Sequence, residues 1–138
     1  GEFGKVDILI NNAGMSLKGQ YDHQAASQTM ETNFFGTINF TQMLLPNIRE
    51  HTGHIIFVAS ELGTLQHITK ESLKNELNSP NLSSPELLTL ADQYLQDVKE
   101  SLREEKGWPK SPYNTSKLFL NLYTRILAGD TESKGIKV

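Results

Sequence analysis

Val6-Asp7-Ile8-Leu9-Ile10-Asn11-Asn12-Ala13-Gly14 runs from a short apolar stretch into two amides and a glycine. Residues 6–10 are apolar at nearly every position, which suits a strand covered on both faces, as in a parallel α/β sheet. Asn and Gly at the carboxyl end mark a turn. Ligands of open α/β sheets bind outside the carboxyl ends of the strands. Asn12, Ala13 and Gly14 therefore have two readings: a plain turn, or a place where an amide and bare backbone approach a ligand.

A second run of the same kind, His54-Ile55-Ile56-Phe57-Val58-Ala59-Ser60, follows Gly53. It too reads as a fully buried strand, with Ser60 at its carboxyl end and a turn at Glu61-Leu62-Gly63. Between the runs lie a polar loop over residues 15–22 and a helical pattern over residues 23–49. Ala26, Met30, Phe34, Ile38, Met43 and Leu44 supply the helix's apolar positions, with some drift in period. Asn33-Phe34-Phe35-Gly36 interrupts it. Gly36 costs about 1 kcal/mol relative to alanine. Asn33 in mid-helix either bonds a backbone carbonyl or a water, or simply faces solvent. Pro46 kinks the helix near its end. Strand, long helix and strand form the βαβ unit of a doubly wound sheet with a right-handed crossover. That unit puts Ser60 on the sheet edge that carries Asn12. A serine hydroxyl there can donate to a substrate carbonyl, although a turn-forming serine is the plainer reading.

Residues 65–107 have a different texture. Lys and Glu are dense and no buried-strand pattern occurs. Thr69 is placed to cap a short helix, with Ile68 and Leu73 as its hydrophobic staple. Asn78-Ser79-Pro80-Asn81 ends that helix. Ser83/Ser84-Pro85-Glu86 opens a second one, whose face carries Leu87, Ala91, Tyr94/Leu95, Val98 and Leu102. Gly107 stops it. The plain reading is a free-standing helical hairpin whose apolar stripe covers the core beside it.

Ser111-Pro112-Tyr113-Asn114-Thr115-Ser116-Lys117 then starts an amphipathic helix that runs to about Ala128. Ser111 suits the cap and Pro112 the first turn. Leu118, Leu122, Tyr123 and Ile126 supply its core face, and 129–135 is a polar loop. Tyr113 and Lys117 are four apart and share a helix face. A free tyrosine, with a pKa of about 10, is a poor acid–base group at neutral pH. An ammonium close by stabilises the phenolate and lowers that pKa. The pair can thus donate a proton to a ketone or aldehyde, or take one from an alcohol. A surface tyrosine above a solvated lysine is the bland alternative.

The bulk numbers agree with one ordinary globular domain: 138 residues, 37% hydrophobic and 21% charged. A formal net charge of −3 argues against a nucleic-acid surface. There is no cysteine, hence no disulfide framework or thiolate metal site. The four histidines lack tight ligand spacing. No signal peptide is visible, and no apolar run approaches the roughly 20 residues of a membrane span.

In combination these motifs resemble the short-chain dehydrogenase/reductase family. The match is ordered: Asn11-Asn12-Ala13-Gly14 after a strand, Asn33 in the next helix, Ser60 after the next strand, and Tyr113-x-x-x-Lys117 on the following helix. Ser60 and Tyr113 usually lie much closer together in this family. The helices between them here, with Lys106-Gly107-Trp108-Pro109, look like the carbonyl reductase branch and the monomeric, insertion-bearing plant reductases. The resemblance implies an α/β, Rossmann-like doubly wound parallel sheet, present in part. On that reading residues 1–138 are the central and catalytic part of one domain, with 65–107 as a helical insertion. It also implies an NADPH-dependent reductase of small-molecule aldehydes and ketones, cytoplasmic and monomeric, with no membrane or nucleic-acid partner. Tyr113 would be the proton donor and Ser60 would hydrogen-bond the carbonyl oxygen. Lys117 would lower the Tyr113 pKa and bind the nicotinamide ribose, and Asn33 would hold a water of the proton relay. Asn12, Ala13 and Gly14 would lie along the cofactor's adenosine ribose. The family's Gly-rich phosphate loop and the residues that separate NADPH from NADH are expected before Gly1, and its substrate-closing segment after Val138. Two other readings are compatible: a truncated, non-catalytic chain that lacks the phosphate loop, and an NAD(P)-dependent enzyme that oxidises alcohols.

Overall fold

Strand β1, Ile8–Asn11, pairs in parallel with strand β2, His54–Phe57, in the register Ile8–His54, Leu9–Ile55, Ile10–Ile56 and Asn11–Phe57. The computed structural model describes residues 4–138. Both strands are shorter than their apolar runs. Val6 makes only an isolated parallel bridge, to Ile48. Beyond Phe57 the ladder adds one bond, from the Val58 N–H to the Asn11 carbonyl at 2.9 Å. On the other side of β2, Lys137 makes an isolated parallel bridge to His54, and its carbonyl accepts from the Ile55 N–H.

The expectation that both faces of the runs are buried is corrected by the structure. Leu9 and Ile55 point into the core. Ile8 and Ile10 are 57% and 59% exposed, and Ile56 and Val58 are also open. Among the described residues the helices pack on one face of the sheet only, and the alternating burial of β1 follows from that.

The chain between the strands is helical from residue 23 to 44, but it has three parts. Asp22 caps helix α1, His23–Met30, by accepting from the Ala25 N–H at 2.8 Å. Glu31–Phe35 then forms a π turn, closed by the Gly36 N–H on the Glu31 carbonyl five residues back. Helix α2, Gly36–Leu44, continues from it. A Cβ at Gly36 would lie 2.8 Å from the Glu31 oxygen, so glycine is required here and is not merely tolerated. The extra residue of the π turn slips the helical register. Ala26, Met30, Phe34 and Ile38 face the core, whereas Met43, read as part of the stripe, is 76% exposed. Leu45–Asn47 is a 3₁₀ turn. Pro46 thus sits just beyond the helix, which ends at Leu44 instead of running kinked to 49.

Residues 65–107 carry helices α3, Glu71–Leu77, α4, Ser84–Lys99, and α5, Arg103–Lys106. Thr69 does not cap α3: the helix follows Lys70 with no side-chain cap, and the Thr69 N–H bonds the Gly107 carbonyl. Ser83 and Glu86 form a full capping box at α4, worth about 1 kcal/mol for the Ser83 cap. Those hydrogen bonds hold the Glu86 carboxyl below its usual range. The apolar face of α4 covers the core as expected, with Leu87, Ala91 and Tyr94 fully buried. It also hides Asp97, which the pattern did not reveal. Gly107 does not stop α4, which ends at Lys99 with Leu102 beyond it; it ends the separate α5 at φ +90, where a Cβ would also strike Lys70.

Helix α6, Pro112–Asp130, is capped by Ser111, whose Oγ accepts from the Asn114 N–H. Leu118, Leu122, Tyr123 and Ile126 are buried as read, together with Phe119, Leu120 and Leu127. Phe119 meets Phe34 at 5.3 Å and Trp108 at 5.9 Å between ring centroids. The helix therefore ties the βαβ unit to the segment before it. Part of the expected loop after it is a 3₁₀ turn, Glu132–Lys134. Among the described residues no helix is long and apolar enough to cross a membrane.

Candidate active site

Lys117 lies one turn inside α6, so its side chain points back toward the helix N-terminus and Tyr113. It is only 4% exposed. Its Nζ donates to the Val58 carbonyl at 2.9 Å and lies 5.8 Å from the centre of the Tyr113 ring. Burial holds the ammonium's pKa below the usual lysine value. A Cβ on Gly14 would sit 3.4 Å from Nζ and 3.5 Å from Asn33 Oδ1. Gly14, Asn33, Lys117 and the end of β2 thus meet at one point, outside the carboxyl ends of both strands.

The π turn aims Asn33 at this point. Asn33 is fully buried, not a solvent-facing polar residue. Its Oδ1 accepts from the Met15 N–H at 2.7 Å, and its Nδ2 donates to the Met15 carbonyl at 2.8 Å and to Ser116 Oγ at 3.0 Å. The side chain therefore clamps the loop after Gly14 onto α6. Ser116 passes the link on to the Tyr113 carbonyl at 2.8 Å.

Ser60 sits in a turn that α6 holds. Asn121 donates to the Gly63 carbonyl at 2.9 Å and to the Ser60 carbonyl at 3.4 Å. A Cβ on Gly63 would lie 2.5 Å from the Lys117 carbonyl carbon, so only glycine lets the turn close on the helix. Ser60 Oγ accepts from the Leu62 N–H at 3.1 Å, and its own proton has no acceptor among the described residues. Sequence reasoning missed Gly63 as a packing residue and missed Asn121. The signal for Asn121 was its spacing, four after Lys117 and eight after Tyr113 on the same helix face.

Asn12, Ala13 and Gly14 are exposed and follow directly from β1. Asn11, by contrast, is a strut: buried, it donates to Thr41 Oγ1 on α2 at 3.0 Å. Tyr113 is half-buried and borders a cleft of about 470 Å³ lined also by Leu17, Tyr21, Thr29, Leu62 and Pro112. Chemically the arrangement offers a phenol at a cleft, an ammonium behind it, and a hydroxyl with a proton to give. One of the three Nζ protons is taken by Val58, and no carboxylate lies within ion-pairing distance among the described residues. The ammonium is therefore free to hold the hydroxyls of a bound sugar next to the bare Gly14 backbone.

The sequence profile of the short chain dehydrogenase family matches residues 1–72. Mouse carbonyl reductase [NADPH] 1 is 36% identical over 132 residues, which cover 92% of this chain and 47% of that protein. Human carbonyl reductase [NADPH] 3 is 34% identical over 139 residues, 96% of this chain and 49% of the relative. The chain thus spans about half the length of the curated relatives it matches. Among solved structures, salutaridine reductase from Papaver somniferum superposes with a TM-score of 0.87 at 26% identity, over 99% of this chain and 58% of that one. The two parallel strands and their helices are accordingly part of a Rossmann-like α/β fold. With the family profile spanning more than half of its sequence, the chain belongs to the short chain dehydrogenase family.

Proposed function

We propose that these residues form the catalytic part of an NADPH-dependent reductase of aldehydes and ketones. The observation that carries this reading is the buried Lys117 ammonium, with its one backbone acceptor, between Gly14, Asn33 and the Tyr113 ring. The similarity to the mouse and human carbonyl reductases [NADPH] supports the cofactor and the substrate class. NADPH, when bound, supplies the hydride. The chain's residues position the carbonyl and move the proton. Ser60 donates its free hydroxyl proton to the carbonyl oxygen. Tyr113 delivers its phenolic proton to the same oxygen as negative charge grows there. Lys117 stabilises the phenolate that remains and holds the nicotinamide ribose. Asn33 orders the loop after Gly14, and through a water continues the proton path from Lys117. Asn12, Ala13 and Gly14 lie along the adenosine ribose. Residues 65–107 act as an insertion that lays α4 on α6, in keeping with a monomer.

The test is Tyr113→Phe in the intact reductase. Carbonyl-dependent loss of NADPH absorbance should fall by about 10²–10⁴-fold, while enhancement of NADPH fluorescence on binding persists. Retained turnover would overturn the role given to Tyr113. The competing reading is that these residues alone are non-catalytic, and the open sheet face of Ile8, Ile10, Ile56 and Val58 favours it. NADPH titration of the 138-residue chain beside the intact reductase separates the two: binding by both supports a working site in these residues, and binding by the intact reductase alone supports the second reading.

A further inference from the structure

Asp97 is a carboxylate that the proposed chemistry does not use, yet it is 2% exposed. No cation pairs with it among the described residues. An unpaired buried charge is costly, and an apolar residue would fill the space with less penalty. What Asp97 has is three hydrogen bonds. Its Oδ2 accepts from the Trp108 indole N–H at 2.7 Å, and its Oδ1 from the Gln93 amide at 2.8 Å. Its carbonyl accepts from the Leu102 N–H at 2.7 Å. The indole bond is charge-assisted and short, the stronger class of hydrogen bond.

Trp108 stands between two helices. Its ring meets Tyr94 of α4 at 5.4 Å and Phe119 of α6 at 5.9 Å, edge-on and tilted. Its backbone N–H bonds the Arg103 carbonyl at 3.0 Å. From Trp108 the chain reaches Tyr113 in five residues, two of them the buried prolines Pro109 and Pro112. Their fixed φ angles leave this lead little freedom. It delivers Ser111, whose Oγ and carbonyl accept from the Asn114 and Thr115 N–H groups. Tyr113 lies in that first turn, where a helix frays unless it is anchored.

We propose that Asp97 is a positioning residue for Tyr113: by holding the Trp108 indole it fixes where α6 begins, and so where the phenol stands in the cleft. This rests on the reading of Tyr113 as the proton donor. Asp97→Leu removes the acceptor at similar volume, Asp97→Asn retains an oxygen for the indole, and Trp108→Phe keeps an aromatic ring, smaller than the indole, and loses the N–H. Two readouts are needed. Amide hydrogen exchange at residues 114–117 should speed up in Asp97→Leu and in Trp108→Phe, with Asp97→Asn close to the parent and exchange in α2 unchanged in all three. Carbonyl reduction by the intact enzyme should show kcat reduced by about tenfold in the first two variants, with KM for NADPH unchanged, because small misplacements of a reacting group cost rate before binding. Unchanged exchange in a folded Asp97→Leu, or an Asp97→Asn as impaired as Asp97→Leu, overturns the proposal. If Asp97→Leu does not fold, Trp108→Phe decides alone. Absence of any reduction by the parent enzyme overturns the proposed function and leaves the exchange result to judge Asp97.

Discussion

Helix α6 and the strand pair both carry dense apolar sequence, and the structure treats them in opposite ways. Around α6 nearly every large side chain is enclosed, with Phe119 between Phe34 and Trp108. The strands bury Leu9 and Ile55 and leave Ile8, Ile10, Ile56 and Val58 open. The chemistry follows the same division. Tyr113 and Lys117 come from the enclosed helix, and the strands contribute backbone: a carbonyl at Val58 and the turns beyond β1 and β2. Rigid positioning therefore depends on the helix side.

Substitutions can test how sharp that division is. Phe119→Ala leaves a cavity at the junction of three aromatic rings and should cost about 3–5 kcal/mol by chemical denaturation. A loss below about 1 kcal/mol would mean that α6 is no better packed than the strands. Gly63→Ala drives a methyl into the α6 backbone at Lys117 and should cost about 1–3 kcal/mol. Because the same turn carries Ser60, kcat should fall along with the thermal midpoint. At the other extreme, Ile10→Thr on the open face should change stability by no more than about 0.5 kcal/mol and should lessen self-association by light scattering.

A pH experiment separates the regions in another way. The Tyr94 hydroxyl is buried with no hydrogen-bond partner among the described residues, and desolvation pushes its pKa up to about 12 from 10.0. The unfolded chain ionises first. The stability this phenol contributes is whole below pH 10 and is lost as pH rises from 10 through about 12. Tyr94→Phe should flatten the fall of the thermal midpoint over that window. An identical alkaline slope in the variant would show that Tyr94 does not titrate with folding. Lys117 runs the other way: burial lowers its pKa, so its penalty eases as pH rises toward 10.5.

Much of this was legible from sequence, because it depends on local chemistry. Caps at Ser83 and Ser111, the core face of α6 and the interruption at Asn33-Phe34-Phe35-Gly36 all follow from rules that span a few residues. The misreadings came from information outside the window. Apolar runs predict how much surface should be covered, not whether the covering element is present, and so β1 and β2 were read as buried on both faces. Thr69 resembles a cap, but its backbone is already engaged with Gly107, 38 residues away. Met43 fell off the stripe because a helical period was extended across a π turn. Asp97 carries no local signal of burial, since only the fold brings Trp108 to it. The convergence of Gly14, Asn33 and Lys117 could be expected from a family resemblance alone. Their meeting depends on contacts between elements far apart in sequence.

The π turn at Glu31–Phe35 also makes this helix sensitive to length. One residue more than an α-helical turn is accommodated there, and each residue advances a helix by roughly 100°. Deleting a single residue from that turn would restore a regular helix, with every amide bonded four residues back, and would look harmless by secondary-structure content. It would also rotate α1 against α2, turn Asn33 away from Met15 and Ser116, and unclamp the loop that follows Gly14. At this place the site is encoded by a count of residues as much as by their identity.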